Sequence, residues 1–248
     1  MPYAAPMLPR HNLVWPTPPG WDSVQQGVAL QPLQVRDAVA RWRAADWPLV
    51  VRRAEPEQAA GLLAVGMPLP PDASGHKTRI ATLIDADAVR RHDLPPTLSK
   101  VMHAVPPRWR TACLALHLEW LDVLPPLRVY GSLAWQAITG MAYLREGSDI
   151  DLLFQPATRE ELEQGAAILH GHAALPLDGE VVFPGDSAVA WREWRAAMLS
   201  GGAGTVLAKR SDRVQLISCK ALLLALALAG RQSASSSSAG TTVPPGRS

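Results

Sequence analysis

Two aspartates separated by one residue are the feature of the sequence best suited to chemistry. Asp149 and Asp151 lie in residues 148–154, whose apolar composition predicts a strand. Side chains at positions i and i+2 of a strand share one face about 7 Å apart, so the two carboxylates should point the same way. Such a pair raises the pKa of both groups unless a cation lies between them. The pattern therefore indicates a site for magnesium or manganese, hard cations that take oxygen ligands and leave positions open for phosphate.

A glycine–serine pair upstream of the aspartates is suited to binding phosphate. Gly131 and Ser132 follow residues 127–130, which predict a strand, and begin a helical pattern that ends before Gly140. The glycine would let the backbone approach a phosphate closely, the serine hydroxyl could donate to it, and the helix N–H groups would face the anion. Each motif alone is more often a plain strand end or turn. Asp149 lies seventeen positions after Ser132, and together the two motifs suit a metal–triphosphate substrate.

The composition is that of a protein with a sizeable apolar core. Of the 248 residues, 48% are hydrophobic and 19% are charged, which excludes full-length disorder and collagen-like architectures. A net charge of +2 is too small to indicate general nucleic-acid binding. Cys113 and Cys219 lack metal-ligand spacing, the first residues lack a secretory pattern, and polar side chains interrupt the apolar residues 216–229. We therefore expect a cytoplasmic protein that binds neither nucleic acid nor a membrane.

Residues 1–108 predict a small α/β accessory domain. Prolines should keep the chain extended up to about residue 20. Pro-Pro pairs at 95–96 and 106–107 bracket a linker-like segment, which places the domain boundary near residue 108. Within this domain the pattern predicts a helix over 34–45, a strand over 48–51, a short helix ending over 62–65, a turn-rich loop over 66–71, and a strand from about 75 through 83.

Residues 109–230 predict the catalytic domain, of α/β (α+β) class. Residues 231–248 are rich in serine and poor in apolar groups, so we expect a disordered tail there. The pattern predicts helices over 110–123, 131–139, 158–170, 188–199 and 216–229, strands over 127–130, 148–154 and 180–183, and a hairpin that pairs 205–209 with 214–218.

The joint arrangement of the two motifs resembles the signature of the DNA polymerase β superfamily of nucleotidyltransferases, which implies a mixed sheet. More narrowly, roughly residues 8–218 resemble the phosphoribosyl-dephospho-CoA transferase of malonate decarboxylase, also called its holo-acyl-carrier-protein synthase. The matching stretches are 128–136, 139–140, 143–144 and 148–153, with further matches at 178–184, 189–194 and 66–70 and at Gly75, Lys77, Arg79 and Ile80.

The resemblance implies an enzyme with a specific reaction. A phosphoribosyl-dephospho-CoA group would pass from 2'-(5''-triphosphoribosyl)-3'-dephospho-CoA to a serine of the apo acyl-carrier subunit, with release of pyrophosphate. One alternative with the same fold is a nucleotidyltransferase that uses ATP on a protein or small molecule. Another is a binding module without turnover, against which the facing Asp149 and Asp151 argue, since such a module has no reason to keep them.

Enzymes of the polymerase β type use a third carboxylate from a neighbouring strand, and two residues here qualify by position. Asp178 and Glu180 stand two positions apart, so they could share a face. Either could bind metal or accept the proton of the attacking hydroxyl. We favour Glu180, because it lies within the apolar residues 180–183, whereas Asp178 precedes Gly179 as a turn residue would. The expected metal ligands are therefore Asp149, Asp151 and Glu180.

Lys77 and Arg79 are candidates for a second phosphate contact. They stand at i and i+2 after Gly75 in a predicted strand, where both could bind the donor's phosphates or the surface of the carrier. A solvated face of the strand is an equally good interpretation. Because the accessory domain is not committed to the catalytic fold, we expect it to line the donor or carrier side of the cleft.

Overall fold

The computed structural model describes residues 8–55 and 57–238, which fold around two β-sheets. One sheet comes from the N-terminal part of the chain and the other from the C-terminal part. Each sheet has its own cluster of buried apolar side chains. The fold is thus the α/β type that the sequence predicts, in two units.

The N-terminal sheet is antiparallel. Prolines 18 and 19 form the first turn of a helix, where a missing N–H costs nothing, so the start of the chain is not extended to residue 20 as expected. The elements are β1 (Leu13–Pro16), α1 (Pro18–Gly27), α2 (Leu33–Ala44), β2 (Leu49–Val51), β3 (Leu62–Pro68), β4 (Arg79–Asp85) and β5 (Val89–Asp93), and the strand order is β4-β3-β2-β1-β5.

Strand β3 corrects the sequence prediction for residues 62–71. The helix end expected there is wrong, because residues 62–68 form one strand that pairs with β4 along its whole length. The turn-rich loop expected over 66–71 begins only at residue 69. A short apolar run buried on both faces has no period that distinguishes a strand from a helix. Pro68 is tolerated because it ends the strand.

The C-terminal sheet is mixed, as predicted. Strands β7 and β8 run parallel and are joined by α6, while the other neighbouring pairs are antiparallel. The elements are α3 (Leu98–Val101), α4 (Pro107–Leu121), β6 (Arg128–Tyr130), α5 (Gly131–Thr139), β7 (Ile150–Phe154), α6 (Arg159–Gly171), β8 (Leu177–Phe183), β9 (Ser187–Ala190), α7 (Trp191–Leu199), β10 (Thr205–Lys209), β11 (Val214–Ser218) and α8 (Cys219–Ser238), and the strand order is β11-β10-β9-β8-β7-β6.

Three element boundaries in this sheet differ from the sequence prediction. Strand β8 begins at Leu177 instead of 180, because its pairing with β7 starts there. Strand β7 begins at Ile150, so Asp149 precedes it. Residues 188–190, expected to start a helix, belong instead to β9, which pairs with β8. The 205–209 and 214–218 hairpin and the helix over 131–139 form as predicted.

The division between the two units lies earlier than the predicted residue 108. Leu98, Val101 and Val105 are buried in the C-terminal core, so the linker-like segment belongs to that unit. At the other end, α8 continues to Ser238, so the first residues of the predicted disordered tail are helical. Residues 1–7 and 239–248, which include the rest of that tail, lie outside the described residues. No helix in the described part of the chain is long and apolar enough to cross a membrane.

Side chains from the C-terminal unit lock the two sheets together. Trp135 on α5 is buried in the N-terminal core, with its ring centroid 5.6 Å from that of Trp42. The Tyr143 hydroxyl donates to the Pro68 carbonyl at 2.9 Å. The Arg145 guanidinium donates to the backbone carbonyls of residues 71 and 72. These contacts hold the β3–β4 edge of the N-terminal sheet against the start of α5 and the loop that leads to β7.

Candidate active site

Three neighbouring strands bring Tyr130, Asp151 and Asp178 side by side. Asp151 on β7 pairs with Tyr130 on β6 and with Asp178 on β8. Residues paired in this way project to the same face of a sheet. Asp151 and Asp178 are each the second residue of their strand, and because β7 and β8 are parallel both carboxylates lie at one end of the sheet. Asp151 is half-buried and Asp178 is exposed.

Asp149 joins this cluster from the loop before β7. The loop is closed by Ser148, whose hydroxyl accepts from the Arg145 N–H at 2.9 Å and whose own N–H donates to the Arg145 carbonyl at 3.1 Å. Asp149 is exposed and lines the same cavity as Asp151. The structure therefore brings together the two aspartates that the sequence singled out, although one of them lies outside the strand.

The electrostatics of Asp151 show that the cluster has an excess of negative charge. Burial, and then the charges of Asp178 and Asp149, raise the pKa of Asp151 to about 6, while Lys77 and Arg79 act in the opposite direction. A carboxylate pKa raised in this way means that the ionised form lacks a sufficient positive partner in the protein. The protein therefore does not fully balance the negative charge of the cluster, and a bound cation could do so.

Gly131 and Ser132 stand directly beside this carboxylate cluster. Gly131 has a φ of 65°, and a Cβ at this position would overlap the Asp151 carboxylate, so both its backbone conformation and its neighbour require glycine. It starts α5, whose first N–H groups have no partner within the helix. The Ser132 hydroxyl accepts from Lys77 Nζ at 3.5 Å, which places that lysine of the N-terminal unit against the predicted phosphate-binding turn.

Glu180 lies on the same face of β8 as Asp178 but in the opposite electrostatic environment. Its carboxylate is 4% exposed and accepts hydrogen bonds from Lys209 Nζ at 3.0 Å and from Arg10 Nη2 at 3.4 Å. His11 Nε2 lies 3.3 Å from its other oxygen. Burial works to raise the pKa of Glu180, but the His11 hydrogen bond and the charges of Arg10 and His11, with the bond from Lys209, lower it to about 2.

The reason for preferring Glu180 to Asp178 therefore does not hold. Asp178 is not a turn residue, because β8 begins one position before it. It is Asp178, not Glu180, that pairs with Asp151 across the sheet, and Glu180 is already surrounded by cationic side chains of the protein. The geometry favours Asp178 as the third carboxylate of the cluster.

A cavity of about 540 Å³ separates these carboxylates from the N-terminal sheet. Its N-terminal wall is strongly cationic, with Lys77 in the loop before β4 and Arg79 as the first residue of that strand, both exposed. Only Arg79 is therefore in the strand predicted to hold both side chains. The polar and charged residues that line the cavity are Arg10, His11, Arg52, Arg53, Lys77, Thr78, Arg79, Tyr130, Ser132, Tyr143, Asp149, Asp151, Glu180 and Lys209.

Sequence reasoning missed Arg10, His11 and Lys209. They lie 170, 169 and 29 residues from Glu180 in the chain, so no local spacing connects them. His11 adopts a φ of 70°, a conformation uncommon outside glycine, and its ring centroid lies 4.1 Å from that of Tyr130. Backbone strain of this kind cannot be detected in a single sequence.

The carboxylate cluster fits a magnesium ion that is completed by substrate. Among the described residues, no group of three or more His, Cys, Asp or Glu side chains is gathered so as to hold a metal ion. Magnesium, however, is commonly bound by one or two carboxylates together with substrate phosphates and water. Asp149 and Asp151, with Asp178 beside them, could supply such carboxylates, and burial together with the neighbouring negative charges raises the pKa of Asp151 to about 6.

A cavity with carboxylates on one wall and cations on the other suits a charged substrate. The family models and the names of the relatives identify the class of protein as a transferase. The family model described as the phosphoribosyl-dephospho-CoA transferase MdcG C-terminal domain matches residues 97–220, and the one for the MdcG N-terminal domain matches residues 9–95. The chain belongs to the phosphoribosyl-dephospho-CoA transferase family.

Curated relatives that carry the same family name align with this chain over nearly their whole length. The chain is 36% identical over 211 residues to the phosphoribosyl-dephospho-CoA transferase of Bradyrhizobium diazoefficiens, covering 84% of this chain and 89% of the relative. It is 37% identical over 227 residues to that of Xanthomonas axonopodis pv. citri and 35% over 219 residues to that of Xanthomonas campestris pv. campestris, in both cases covering 87% of this chain and 97% of the relative. No solved structure matches the chain.

Proposed function

We propose that this transferase moves the phosphoribosyl-dephospho-CoA group from 2'-(5''-triphosphoribosyl)-3'-dephospho-CoA to a serine of the apo acyl-carrier subunit of malonate decarboxylase, in the cytoplasm, with release of pyrophosphate. The observation that carries the proposal is that Asp149 and Asp151 line one wall of a cavity beside Gly131 and Ser132, while Lys77 and Arg79 line the other. Asp178 is the strand partner of Asp151. The name of the relatives, phosphoribosyl-dephospho-CoA transferase, supports the identity of the transferred group. The sequence resemblance supports the carrier.

The donor's phosphates have a matching set of contacts at the start of α5. The Ser132 hydroxyl, the first N–H groups of the helix and the Lys77 ammonium lie together, since Lys77 Nζ is 3.5 Å from Ser132 Oγ. Arg79 adds a guanidinium to the same cavity, and such a group binds phosphate oxygens in pairs. The rest of the donor would extend along the cavity towards Arg52 and Arg53, where selection against ATP has to occur.

Asp149 and Asp151 would hold magnesium or manganese, with Asp178 as the third carboxylate. When bound, the ion would neutralise charge on the departing pyrophosphate. Without it, three carboxylates at one end of the sheet would repel the donor's triphosphate. Lys77 and Arg79 reduce this repulsion, as their effect on the pKa of Asp151 shows.

The transfer forms one bond and breaks one. The serine oxygen of the carrier bonds to the α-phosphorus of the donor, the bond from that phosphorus to the pyrophosphate oxygen breaks, and the serine proton must be removed. Asp178 is exposed beside Asp151 and is placed either to accept that proton or to help bind a second ion. Glu180 instead positions Arg10, His11 and Lys209 at the cavity wall.

Mass spectrometry of the purified apo carrier tests the proposal. The carrier is incubated with the enzyme and magnesium, and with either triphosphoribosyl-dephospho-CoA or ATP. Addition of the phosphoribosyl-dephospho-CoA mass at the serine, with loss of this product in a serine-to-alanine carrier, is the expected result. Preferential addition of an adenylyl group when both donors are present would instead identify a nucleotidyltransferase that uses ATP.

A further inference from the structure

A second groove reaches the carboxylate cluster without passing through the donor cavity. It measures about 570 Å³, and among the described residues Asp149 alone lines both spaces. Its walls come from the start of α4, the loop before β7, the segment before β8 and the start of α7. We call it the α4 groove, and its principal residues are Arg108, Trp109, Glu146, Ser148, Pro176 and Arg192.

Within the described part of the chain, neither arginine of the α4 groove forms an ion pair with a carboxylate, and other contacts hold both side chains in place. The Arg192 guanidinium donates twice to the Leu177 carbonyl, at 2.7 and 3.2 Å, one residue before Asp178. The Arg108 guanidinium lies 4.4 Å from the centroid of the Trp109 ring and donates to the Arg145 carbonyl at 3.4 Å. Because their partners are an aromatic ring and backbone carbonyls, both positive charges stay available to an anionic group that enters the groove.

The geometry of phosphoryl transfer requires a second approach to the carboxylates. The attacking oxygen and the leaving oxygen lie roughly in line on either side of the phosphorus. A donor whose triphosphate lies against Ser132 and Lys77 would occupy the large cavity, and the acceptor would then approach the phosphorus from the side opposite the leaving pyrophosphate. The α4 groove is the candidate for this approach, because Asp149 lines both the groove and the cavity.

We propose that the α4 groove receives the protein acceptor, as a loop that carries the modified serine with carboxylate side chains near it, which Arg108 and Arg192 bind. The inference rests on the proposed function for the reaction and adds the route by which the acceptor enters. The reaction of the proposed function makes the occupant a protein, and the two arginines supply charge complementarity to its carboxylates.

A charge reversal at the groove tests the proposal against a matched control on the same helix. Arg108→Glu should raise the KM for the purified apo carrier at least tenfold and leave the dissociation constant of the donor, measured by calorimetry, unchanged. Arg110→Glu makes the same charge change two residues away, outside the groove, where the native guanidinium donates to the Val105 carbonyl at 3.4 Å. It should retain the wild-type KM. Equal thermal midpoints would show that both variants are folded.

The outcomes separate this inference from the proposed function. If the wild-type enzyme modifies the carrier and Arg108→Glu keeps a normal carrier KM, the groove assignment is wrong and the reaction stands. If Arg108→Glu weakens donor binding, or weakens only inhibition by pyrophosphate, the groove serves the donor or the product and the inference is overturned. Failure of the wild-type enzyme to modify the carrier would refute the proposed function itself.

A crosslink gives a second measurement that does not depend on kinetics. Cys113 and Cys219 are buried, so a cysteine at position 108 can be labelled selectively with a photocrosslinker. Arg108→Cys labelled in this way should capture the purified apo carrier, and labelled Arg110→Cys should capture much less. Equal capture at both positions would contradict docking at the α4 groove.

Discussion

Asp178 and Glu180 point to the same side of β8, yet the two ends of the cleft around them differ in charge. At the acidic end, Asp178 stands beside Asp151, whose pKa is raised to about 6. At the basic end, Glu180 is enclosed by Arg10, His11 and Lys209, and its pKa is lowered to about 2. The side chains are only two positions apart in the chain, but their neighbours come from different parts of the fold.

The difference indicates which carboxylates act on substrate. A carboxylate whose charge the protein already neutralises has little capacity left for a metal ion or a proton. The acidic end keeps an uncompensated charge, and maintaining it costs stability unless a ligand arrives. We therefore propose that the acidic end binds metal and transfers the proton and that the basic end has a structural role, and the following predictions test that division.

The largest effect is expected at the centre of the acidic end. Asp151→Asn and Asp149→Asn should each lower turnover by roughly a thousandfold, about 4 kcal/mol of transition-state stabilisation, because each removes a ligand of the ion that balances the leaving phosphates. Neither should unfold the protein, because Asp149 is exposed and Asp151→Asn removes a half-buried charge that its neighbours repel. Turnover within tenfold of wild type at saturating magnesium, with an unchanged circular dichroism spectrum, would defeat the metal assignment.

Asp178→Asn should produce the next largest loss of activity. We expect turnover to fall about a hundredfold, as is typical when a general base or a second metal contact is removed, with the thermal midpoint close to wild type because the side chain is exposed. The measurement is the rate at saturating donor and carrier. If Asp178→Asn is fully active while Glu180→Gln is inactive yet folded, the roles of the two ends are reversed.

Glu180→Gln should act on stability first. It leaves Arg10 and Lys209 without their buried counterion, which should lower the free energy of unfolding by about 2 kcal/mol, or the thermal midpoint by roughly 4–8 °C. Glu163→Gln, which breaks the exposed Arg159–Glu163 pair on α6, is the control and should change the midpoint little. Equal midpoints for the two variants would show that the basic end contributes no stability.

The acidic end could be predicted from sequence because its parts are local. Gly131, Ser132, Asp149 and Asp151 lie within one strand–helix–strand unit, so spacing alone places them together. The choice between Asp178 and Glu180 depended on where a strand begins, and strand ends are set by pairing with a neighbour rather than by local pattern.

The basic end and the α4 groove could not be predicted in this way. Glu180 meets residues from both ends of the described chain, and Arg192 reaches the groove by binding a carbonyl of β8. The β3 strand was missed for a related reason, since pairing with β4 overrides an apolar run that local pattern leaves undecided.

The cationic wall of the donor cavity should have a moderate effect that is seen mainly in binding. Lys77→Ala combined with Arg79→Ala should raise the KM for the donor about tenfold, or 1.4 kcal/mol, with a smaller change in kcat. Lys100→Ala combined with Arg110→Ala removes the same two charge types away from the cavity and should leave this KM unchanged. An increase in the KM for the carrier alone would indicate that Lys77 and Arg79 contact the acceptor and not the donor.

The smallest effect concerns pH and tests the uncompensated charge directly. In the metal-free folded protein the pKa of Asp151 is about 6, against an ordinary value of 3.8 for the unfolded chain. Because the folded value is the higher one, the stability from its protonation is complete below pH 3.8 and is lost as the pH rises through 6. Between pH 5 and pH 7, in the presence of a chelator, the free energy of unfolding of wild type should therefore fall by about 1 kcal/mol relative to that of Asp151→Asn.

Magnesium should reduce this difference in the free energy of unfolding, since the cation replaces the proton as partner of the Asp151 carboxylate. Chemical denaturation at the two pH values, with and without magnesium, measures both effects. Parallel pH profiles for the two proteins without metal would mean that Asp151 is already neutralised by Lys77 and Arg79, and the contrast between the two ends of the cleft would then disappear.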